Sequence, residues 1–541
     1  MTSPKADFAA NRHYFLSRNF IGSLAAIGLA SMAAIGGFSL IAPVLGNIDA
    51  SIGPDQSIVW VSLSNNLTQA IGLTIAGRLS DIFGRWYFQI GGALLALVGC
   101  ILAVTAVNVR MLIGANVLIG IGSATQVSFP YLIAELVPVR QGSFASAYIY
   151  VLLVPMSALA PNIATVLATR TSVGWRCCYY LLVAINALAL VCWVLFYRLP
   201  TWDDLVESAG SASTKAKKAQ MLKNIDYGGL IFLSSGLLLF LMGISWGGSV
   251  YAWNSAAVLS TIILGAVALV CFVFYERRLS RSVALVPMHC FPMGLGLPSV
   301  AVLYADHSLE VQGWVKCVIG APPLFGQITA SIFATRIGKL KYQLIIAAIV
   351  GAAFYAANAS VTPNNEIQVI ILLCIGGFAL GWVDAVCLVA LSITLEDQKE
   401  IGTGVSVASS LRTIITTTSA TIFTAILFWR LASTIPAIVP PALVEAGLPA
   451  HYVDQCVYLL QHNQTRLAEV EGVSASVIAT GLDAFKLANS QAYSTVYLAT
   501  IAFSGVGIIC SFMTPSMESY LTDDVARRLR QCFAYRTNNV T

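Results

Sequence analysis

The sequence predicts an all-α protein that crosses a lipid bilayer many times. Of its 541 residues, 57% are hydrophobic and only 10% are charged, whereas a soluble domain carries roughly 25% charged residues. The mean hydropathy of the chain is +0.79. Uncharged runs of about 20 residues recur along it, and a helix of that length spans the hydrocarbon core of a membrane. We therefore expect a polytopic membrane protein.

The charges and cysteines of the chain indicate topology and packing. The net charge of +5 comes from basic residues in short segments between apolar runs, so it does not predict a nucleic-acid partner. Twelve cysteines are scattered, several of them within apolar runs. The adjacent Cys177 and Cys178 lack the spacing of a metal site, which favours buried apolar roles for these thiols.

The first apolar run, residues 20–45, is too long for the core of a signal peptide. We expect it to stay in the protein as span 1, preceded by a polar cytoplasmic tail. Span 2 is predicted at Ile58–Ala76 and span 3 at Tyr87–Val107.

A short charged segment, Gly77–Trp86, joins spans 2 and 3. Its glycines allow a sharp turn, and its arginines place positive charge at the cytoplasmic surface. The pattern G-x-x-x-D-x-x-G-R at Gly77, Asp81, Gly84 and Arg85 resembles the signature loop of the major facilitator superfamily. The resemblance implies that these four residues form a conformational latch. It also implies that Asp81 lies near Ile401–Thr403, at the start of span 13, in the outward-facing state.

Several amides lie within the predicted early spans. An unpaired amide in hydrocarbon costs several kcal/mol, so these side chains should face the bundle interior or a cavity. Both roles remain open, namely bonding between helices and contact with a substrate. The candidates in span 2 and in span 4 (residues 111–133) are Asn65, Asn66, Gln69, Asn116 and Gln126.

Two positions bear on energy coupling and on direction. Many proton-coupled members of the superfamily have an arginine where this chain has Asn116, so coupling through that arginine is not expected here. In span 5, the segment Ala158–Ala164 is similar to the antiporter motif of exporters and adds Asn162 as a candidate contact. Close helix packing by small residues also accounts for this segment.

The layout of the whole chain is similar to the fourteen-span fungal trichothecene efflux pump family, which is close to fungal siderophore-iron transporters. The markers are the motif above, Trp175-Arg176 after span 5, and a polar linker followed by two additional spans. The resemblance implies a major facilitator fold with two six-helix bundles, two extra central spans and about 14 spans in all. The predicted regions are a tail (1–19), the N-terminal bundle (20–197), a cytoplasmic linker (198–225), the additional spans (226–283), the C-terminal bundle (284–515) and a second tail (516–541).

Span 9 departs from that layout. Only Phe291–Ala305 is available for it, and this segment contains Pro292 and Pro298. Fifteen residues of helix measure about 22 Å, less than the core thickness of about 30 Å. We expect a short or broken crossing, or the loss of part of the span.

Two opposite charges lie within predicted spans 12 (367–394) and 13 (401–429). Asp384 and Arg412 are equally distant from Gln398 in the loop between these spans, so an antiparallel hairpin places them at one depth. We expect them to be partners. Asp384 is also a candidate for handling a proton or a polar substrate.

Residues 433–490 are predicted to form a long, mostly polar outer loop with a glycosylation sequon at Asn463.

No nucleotide-binding, metal or nucleophile motif occurs. We therefore expect a secondary transporter that exports a small hydrophobic compound by alternating access, and not an enzyme. The expected properties are no bound cofactor, a proton gradient as the energy source, a monomeric state and location in the plasma or vacuolar membrane. The alternatives are a siderophore-iron importer and a membrane sensor without transport.

Overall fold

Helices form nearly all of the described chain. A computed structural model describes residues 15, 17–55, 57–137, 139–197, 227–247, 251–279, 303, 309–394, 401–462, 467, 470 and 473–514. Within these ranges the strand-like pairing consists of one isolated bridge between Gly247 and Tyr251. The predicted all-α class is confirmed.

The N-terminal half is a helical bundle in which α1 packs on α5 and α10, and α5 packs on α3 and α4. The helices are α1 (Arg18–Ser39), α2 (Leu45–Ile52), α3 (Trp60–Phe83), α4 (Arg85–Val104), α5 (Val109–Gln126), α6 (Phe129–Leu136), α7 (Val139–Leu152), α8 (Val154–Ser157), α9 (Ala160–Arg170) and α10 (Arg176–Phe196).

A helix pair, α11 (Tyr227–Trp246) and α12 (Ala256–Leu279), comes between the halves in sequence. The C-terminal half follows, and in it α16 packs on α14 and α15 while α17 packs on α19. Its helices are α13 (Leu309–Cys317), α14 (Ala321–Ile337), α15 (Leu340–Ala357), α16 (Glu366–Thr394), α17 (Ile401–Glu445), α18 (Val453–His462) and α19 (Ala475–Met513).

The signature segment is mostly helix, which corrects the predicted loop. Residues 77–83 are the last turns of α3, and α4 begins directly after Gly84. Gly84 has φ 102° and ψ 134°, a conformation that side chains strongly disfavour. The change of chain direction is therefore concentrated in a single residue.

Proline interrupts several membrane helices. Pro155 and Pro161 stand at the starts of α8 and α9 and divide span 5 into three helices. Pro130 occupies the same place in α6, so predicted span 4 is also divided. Since proline lacks a backbone donor, it suits the first turn of a helix. Helices α13 and α14 likewise form a pair, and they meet at a bend of 40°.

The predicted polar outer loop is wrong, because much of residues 433–490 is helical. Helix α17 continues to Glu445 through three prolines, and α19 already begins at Ala475. These helices measure about 68 Å and 58 Å, so both extend far beyond a core of about 30 Å. Their outer ends and α18 form an outer subdomain around a shared cluster of buried side chains: Ile435, Val439, Leu443, Leu448, Val453, Cys456, Leu460, Leu467, Val470, Val477, Ala484 and Ala488.

The two halves share a hydrophobic cluster on one side of the membrane. Leu132 and Leu136 of the N-terminal half belong to the same cluster as Ala334 and Leu340 of the C-terminal half. The α3–α4 and α14–α15 links on this side carry arginine and lysine, which makes it cytoplasmic. Toward the opposite side, the described part of each half has its own cluster. The described residues therefore show an arrangement closed on the cytoplasmic side.

Eight helices among the described residues are long and apolar enough to cross a membrane, or nine when the bent pair α13–α14 counts as one span. Shorter apolar helices include α11 and α12 segments at 231–246 and 256–272. The predicted count of about 14 thus stays a prediction. Apart from buried Leu303, the predicted short span 9 lies outside the described residues.

Candidate functional site

A buried ion pair lies deep within the C-terminal half. The Arg412 Nη2 atom of α17 is 3.0 Å from the Asp384 Oδ2 atom of α16. This contact confirms the predicted pairing. Asp384 precedes the cytoplasmic end of α16 by ten residues, or about 15 Å of helix, so the pair is well inside the bilayer. Opposite charges placed at one depth can compensate each other where isolated charges are costly.

The two partners differ in exposure. The Asp384 side chain is 2% exposed, whereas 31% of the Arg412 side chain is accessible. An uncompensated charge is costly inside the bilayer, and the Arg412 guanidinium compensates the Asp384 carboxylate. Arg412 remains partly accessible from the space around the pair. The handling of a proton or a polar substrate by Asp384 stays a prediction.

Gln327 of α14 completes the site and was missed by the sequence analysis. Its Nε2 atom donates a hydrogen bond of 2.7 Å to the same Asp384 oxygen that accepts from Arg412. Gln327 follows the double proline Pro322-Pro323 and is the one amide side chain of α14. The sequence contains one indication of this role, a single amide within an apolar run, which is the same feature that identifies the candidates in spans 2 and 4.

Two predicted amides of the N-terminal half form hydrogen bonds inside their own bundle. Asn116 donates to the Tyr179 hydroxyl (3.1 Å) and to the Leu112 carbonyl (2.9 Å). Gln126 donates to the Asn186 side-chain oxygen at 2.7 Å. Both amides are fully buried. In this conformation they join α5 to α10, and their predicted contact with a substrate stays a prediction.

The three amides of α3 differ from those of α5. Asn65 is 1% exposed, and neither polar atom of its side chain has a hydrogen-bond partner within the described structure. Asn66 and Gln69 are half-buried. Close packing surrounds Asn65, since its backbone carbonyl would lie 2.4 Å from a Cβ atom placed at Gly120. Water or a rearranged partner would have to satisfy this amide.

Asn162 lies where the two halves meet. Its side-chain oxygen would be 2.3 Å from a Cβ atom at Gly313 of α13, so only glycine fits there without movement of the amide. Asn162 is half-buried. The structure thus brings this candidate next to the C-terminal half, whereas Asn116 and Gln126 make their described side-chain hydrogen bonds to α10 of the N-terminal half.

The latch motif forms a compact polar group beside α6. Arg85 is 2% exposed, donates to the Ser80 hydroxyl at 3.1 Å and stacks over the Tyr131 ring at 4.2 Å. Ser80 in turn donates to the Gly77 carbonyl. The Asp81 side chain and those at the start of α17 lie outside the described residues, so the predicted contact between them is untested.

The described residues contain no cluster of three or more histidine, cysteine, aspartate or glutamate side chains that could hold a metal ion.

Comparison with known proteins identifies the family of the chain. The model of the family described as "Fungal trichothecene efflux pump (TRI12)" matches residues 4–306 and 313–536. The chain belongs to this family. It is therefore a multi-pass membrane transporter and not an enzyme. The interruption at 307–312 directly follows the segment in which the sequence predicts a short span.

Relatives and solved structures are consistent with this membership. The chain is 25% identical to "Trichothecene efflux pump TRI12" of Trichoderma arundinaceum, over 95% of this chain and 89% of that protein. It is 23% identical to "Efflux pump dotC" of Dothistroma septosporum, over 90% and 83%. The fold resembles the proton:xylose symporter XylE with a TM-score of 0.53 and 15% identity, covering 96% of this chain and 98% of that one. The human organic anion transporter MFSD10 also has a TM-score of 0.53, with 13% identity and coverage of 90% and 100%. The major facilitator fold is confirmed.

Proposed function

We propose that this transporter exports a small, largely apolar secondary metabolite of the trichothecene type, in exchange for protons. Membership of the trichothecene efflux pump family over most of the chain is the observation that carries the proposal. The named relatives above are efflux pumps, which favours export over the siderophore-import alternative. Alternating access between two bundles is the mechanism that the fold supports.

The proposed coupling group is Asp384. The arginine that many proton-coupled relatives use is replaced by Asn116, which is neutral and bonded to Tyr179. Asp384 is a buried carboxylate with a cation and an amide donor on one oxygen. Binding of an outside proton would release Arg412, and loss of that proton to the cytoplasm would restore the pair. The proton gradient would thereby drive export without a bound cofactor.

The proposed substrate path lies between the halves on the outer side of their shared cytoplasmic cluster. Half-buried Asn66, Gln69 and Asn162 supply amide groups along it, and Arg412 supplies a partly exposed cation. A few polar groups among apolar walls suit an oxygenated, otherwise apolar molecule. We further propose that the protein acts as a monomer in the plasma membrane, since export from there removes the compound from the cell.

Toxin tolerance in a yeast strain that lacks its own drug exporters tests the proposal. Cells expressing the chain should tolerate a several-fold higher concentration of a trichothecene and retain less of it, and a protonophore should abolish the difference. Fluorescent tagging verifies that the protein reaches the plasma membrane. Unchanged tolerance with the protein in place would refute export of this class. Uptake of a labelled ferric siderophore by the same cells would instead support the import alternative.

A further inference from the structure

Helix α14 contacts the N-terminal half near both of its ends. Gly320 directly precedes α14, and a Cβ atom there would lie 2.1 Å from the Ser157 carbonyl oxygen. Backbone thus approaches backbone at this end. At the cytoplasmic end, the Arg336 guanidinium lies over the Phe144 ring at 5.1 Å. Although α14 belongs to the C-terminal half, it therefore packs against α7 and α8 of the N-terminal half.

The middle of α14 is connected to the buried ion pair. Gln327 lies between the two contacts and donates to Asp384 Oδ2. Because Arg412 donates to the same oxygen, this single atom joins α14 and α17 to α16. A hydrogen bond to an ionised acceptor is roughly twice as strong as a neutral one. Helices α14 and α16 also pack closely at Gly326 and Gly381, and it is the polar part of their contact that depends on the charge of Asp384.

We propose that Gln327 is a positioning residue that couples the charge state of Asp384 to the contact between the two halves. The inference rests on the proposed proton coupling. While Asp384 is ionised, Gln327 holds the middle of α14 against α16, and the ends of α14 hold the N-terminal half. When Asp384 takes up a proton, Arg412 loses its ion partner and Gln327 keeps only a neutral hydrogen bond. The polar link between the middle of α14 and α16 is then weaker, which favours movement of α14 with the N-terminal half relative to α16.

Other charged groups lie on the helices around Asp384. Helices α6, α7, α14, α15 and α17 pack against α16. Arg412 is the cation that the structure places in contact with Asp384. The further titratable and charged residues on those helices are Tyr131, Glu135, Arg140, Tyr148, Tyr150, Arg336, Lys341, Tyr342, Tyr355, Arg430 and Glu445.

The variant that tests the inference is Gln327→Met, which keeps the length of the side chain and removes the donor. Its matched control is Thr329→Val on the same helix, because the Thr329 hydroxyl donates to the Phe325 and Gly326 carbonyls of α14 itself in the described structure. Both variants are compared with the unaltered protein for abundance and monodispersity in detergent, which identifies any loss of folding.

The first readout is the distance between the two halves in lipid nanodiscs. Reactive non-natural amino acids at Tyr87 and Tyr342, which are 60% and 63% exposed near the cytoplasmic ends of α4 and α15, carry the fluorophores for energy transfer. In the unaltered protein and in Thr329→Val, acidification should shift the distance distribution. In Gln327→Met, the shift should shrink by at least about threefold. The second readout is transport of a labelled trichothecene in proteoliposomes, whose dependence on the pH gradient should flatten in Gln327→Met alone.

The outcomes separate the inference from the proposed function. If the unaltered protein responds to pH and Gln327→Met responds equally, the inference is wrong and proton coupling stands. If Thr329→Val loses the response as well, the effect is one of general packing and the inference is also wrong. If the unaltered protein responds to pH in neither readout, the proposed proton coupling fails and the inference fails with it.

Discussion

Single polar residues inside the bilayer distinguish the two halves of this transporter. Asp384 is nearly inaccessible, yet it has a guanidinium at 3.0 Å and an amide at 2.7 Å. The N-terminal half presents neutral amides instead, such as Asn116, which is bonded to Tyr179. The acid–base chemistry proposed for the cycle is therefore located in the C-terminal half.

The first prediction concerns this ion pair. Arg412→Gln should destabilise the fold by about 3–5 kcal/mol, because it removes the cation from the buried Asp384 carboxylate. Asp384→Asn should cost less, since the Arg412 side chain is 31% accessible to solvent. The double variant should be milder than either single one, since it removes both charges. Thermal unfolding in detergent, followed by loss of monodisperse protein, measures the three variants. Equal damage in all three would show that pairing is not the main role of these residues.

At the scale of helices, the sequence predicts the membrane-spanning elements, because contact with lipid requires long uncharged runs of residues. The charge pair was found because two positions equally distant from Gln398 fall at one depth in an antiparallel hairpin. Gln327 was missed because one amide in an apolar helix does not reveal its partner 57 residues away. The sequence predicts a loop at the outer ends of α17 and α19 because residues 433–490 are mostly polar. The structure also holds Pro436, Pro440 and Pro441 within α17, although proline is unfavourable inside helices. Tertiary packing around Val439 and Leu443 outweighs that preference.

The second prediction tests the outer subdomain through Cys456. This thiol is 1% exposed, and burial raises its pKa above the usual value, so little thiolate forms at neutral pH. A membrane-impermeant maleimide applied to intact cells should leave Cys456 unmodified and react with it after denaturation. Leu443→Asp should open the cluster and make the site reactive without denaturant. Rapid labelling of the unaltered protein would contradict a packed subdomain.

The third prediction concerns residues 291–305, which should not form a full-length crossing. A complete span would place His289 and Asp306 on opposite sides of the membrane. Single cysteines introduced at the two positions, tested with impermeant reagents in intact and permeabilised cells, report their sides. A regular helix of about 20 residues centred on Leu297, with the two ends on opposite sides, would show that the predicted defect is wrong.

At the scale of the whole molecule, the two halves share a hydrophobic cluster on the cytoplasmic side. Leu136 and Leu340 belong to one cluster, and the Ser410 hydroxyl of α17 donates to the Ala70 carbonyl of α3 at 2.7 Å. Helices α3 and α17 are thus bonded to each other across the halves, above the latch motif. A small change in the free energy of this contact is enough to shift the populations of the inward-facing and outward-facing states, if these are nearly equal in energy.

The fourth prediction concerns that bias. Asp81→Asn should reduce transport and leave expression unchanged, because a carboxylate near a helix N-terminus gains about 0.3–1 kcal/mol from the helix dipole. The reduction should be a few-fold and should appear together with a shift toward the inward-facing state. Toxin efflux, normalised to the amount of protein in the plasma membrane, measures it. Unchanged efflux would exclude a latch role for Asp81.

The length of α17 connects the buried site to the outer face of the membrane. From Arg412 to Glu445 the helix runs without interruption, a distance of about 50 Å. A rigid-body rotation of about 10–15°, of the size seen in other two-state proteins, would displace its outer end by roughly 9–13 Å. An antibody fragment raised against the outer subdomain can therefore distinguish the two orientations of the bundle. Such a fragment can report the conformation of the transporter, or inhibit transport by holding one orientation.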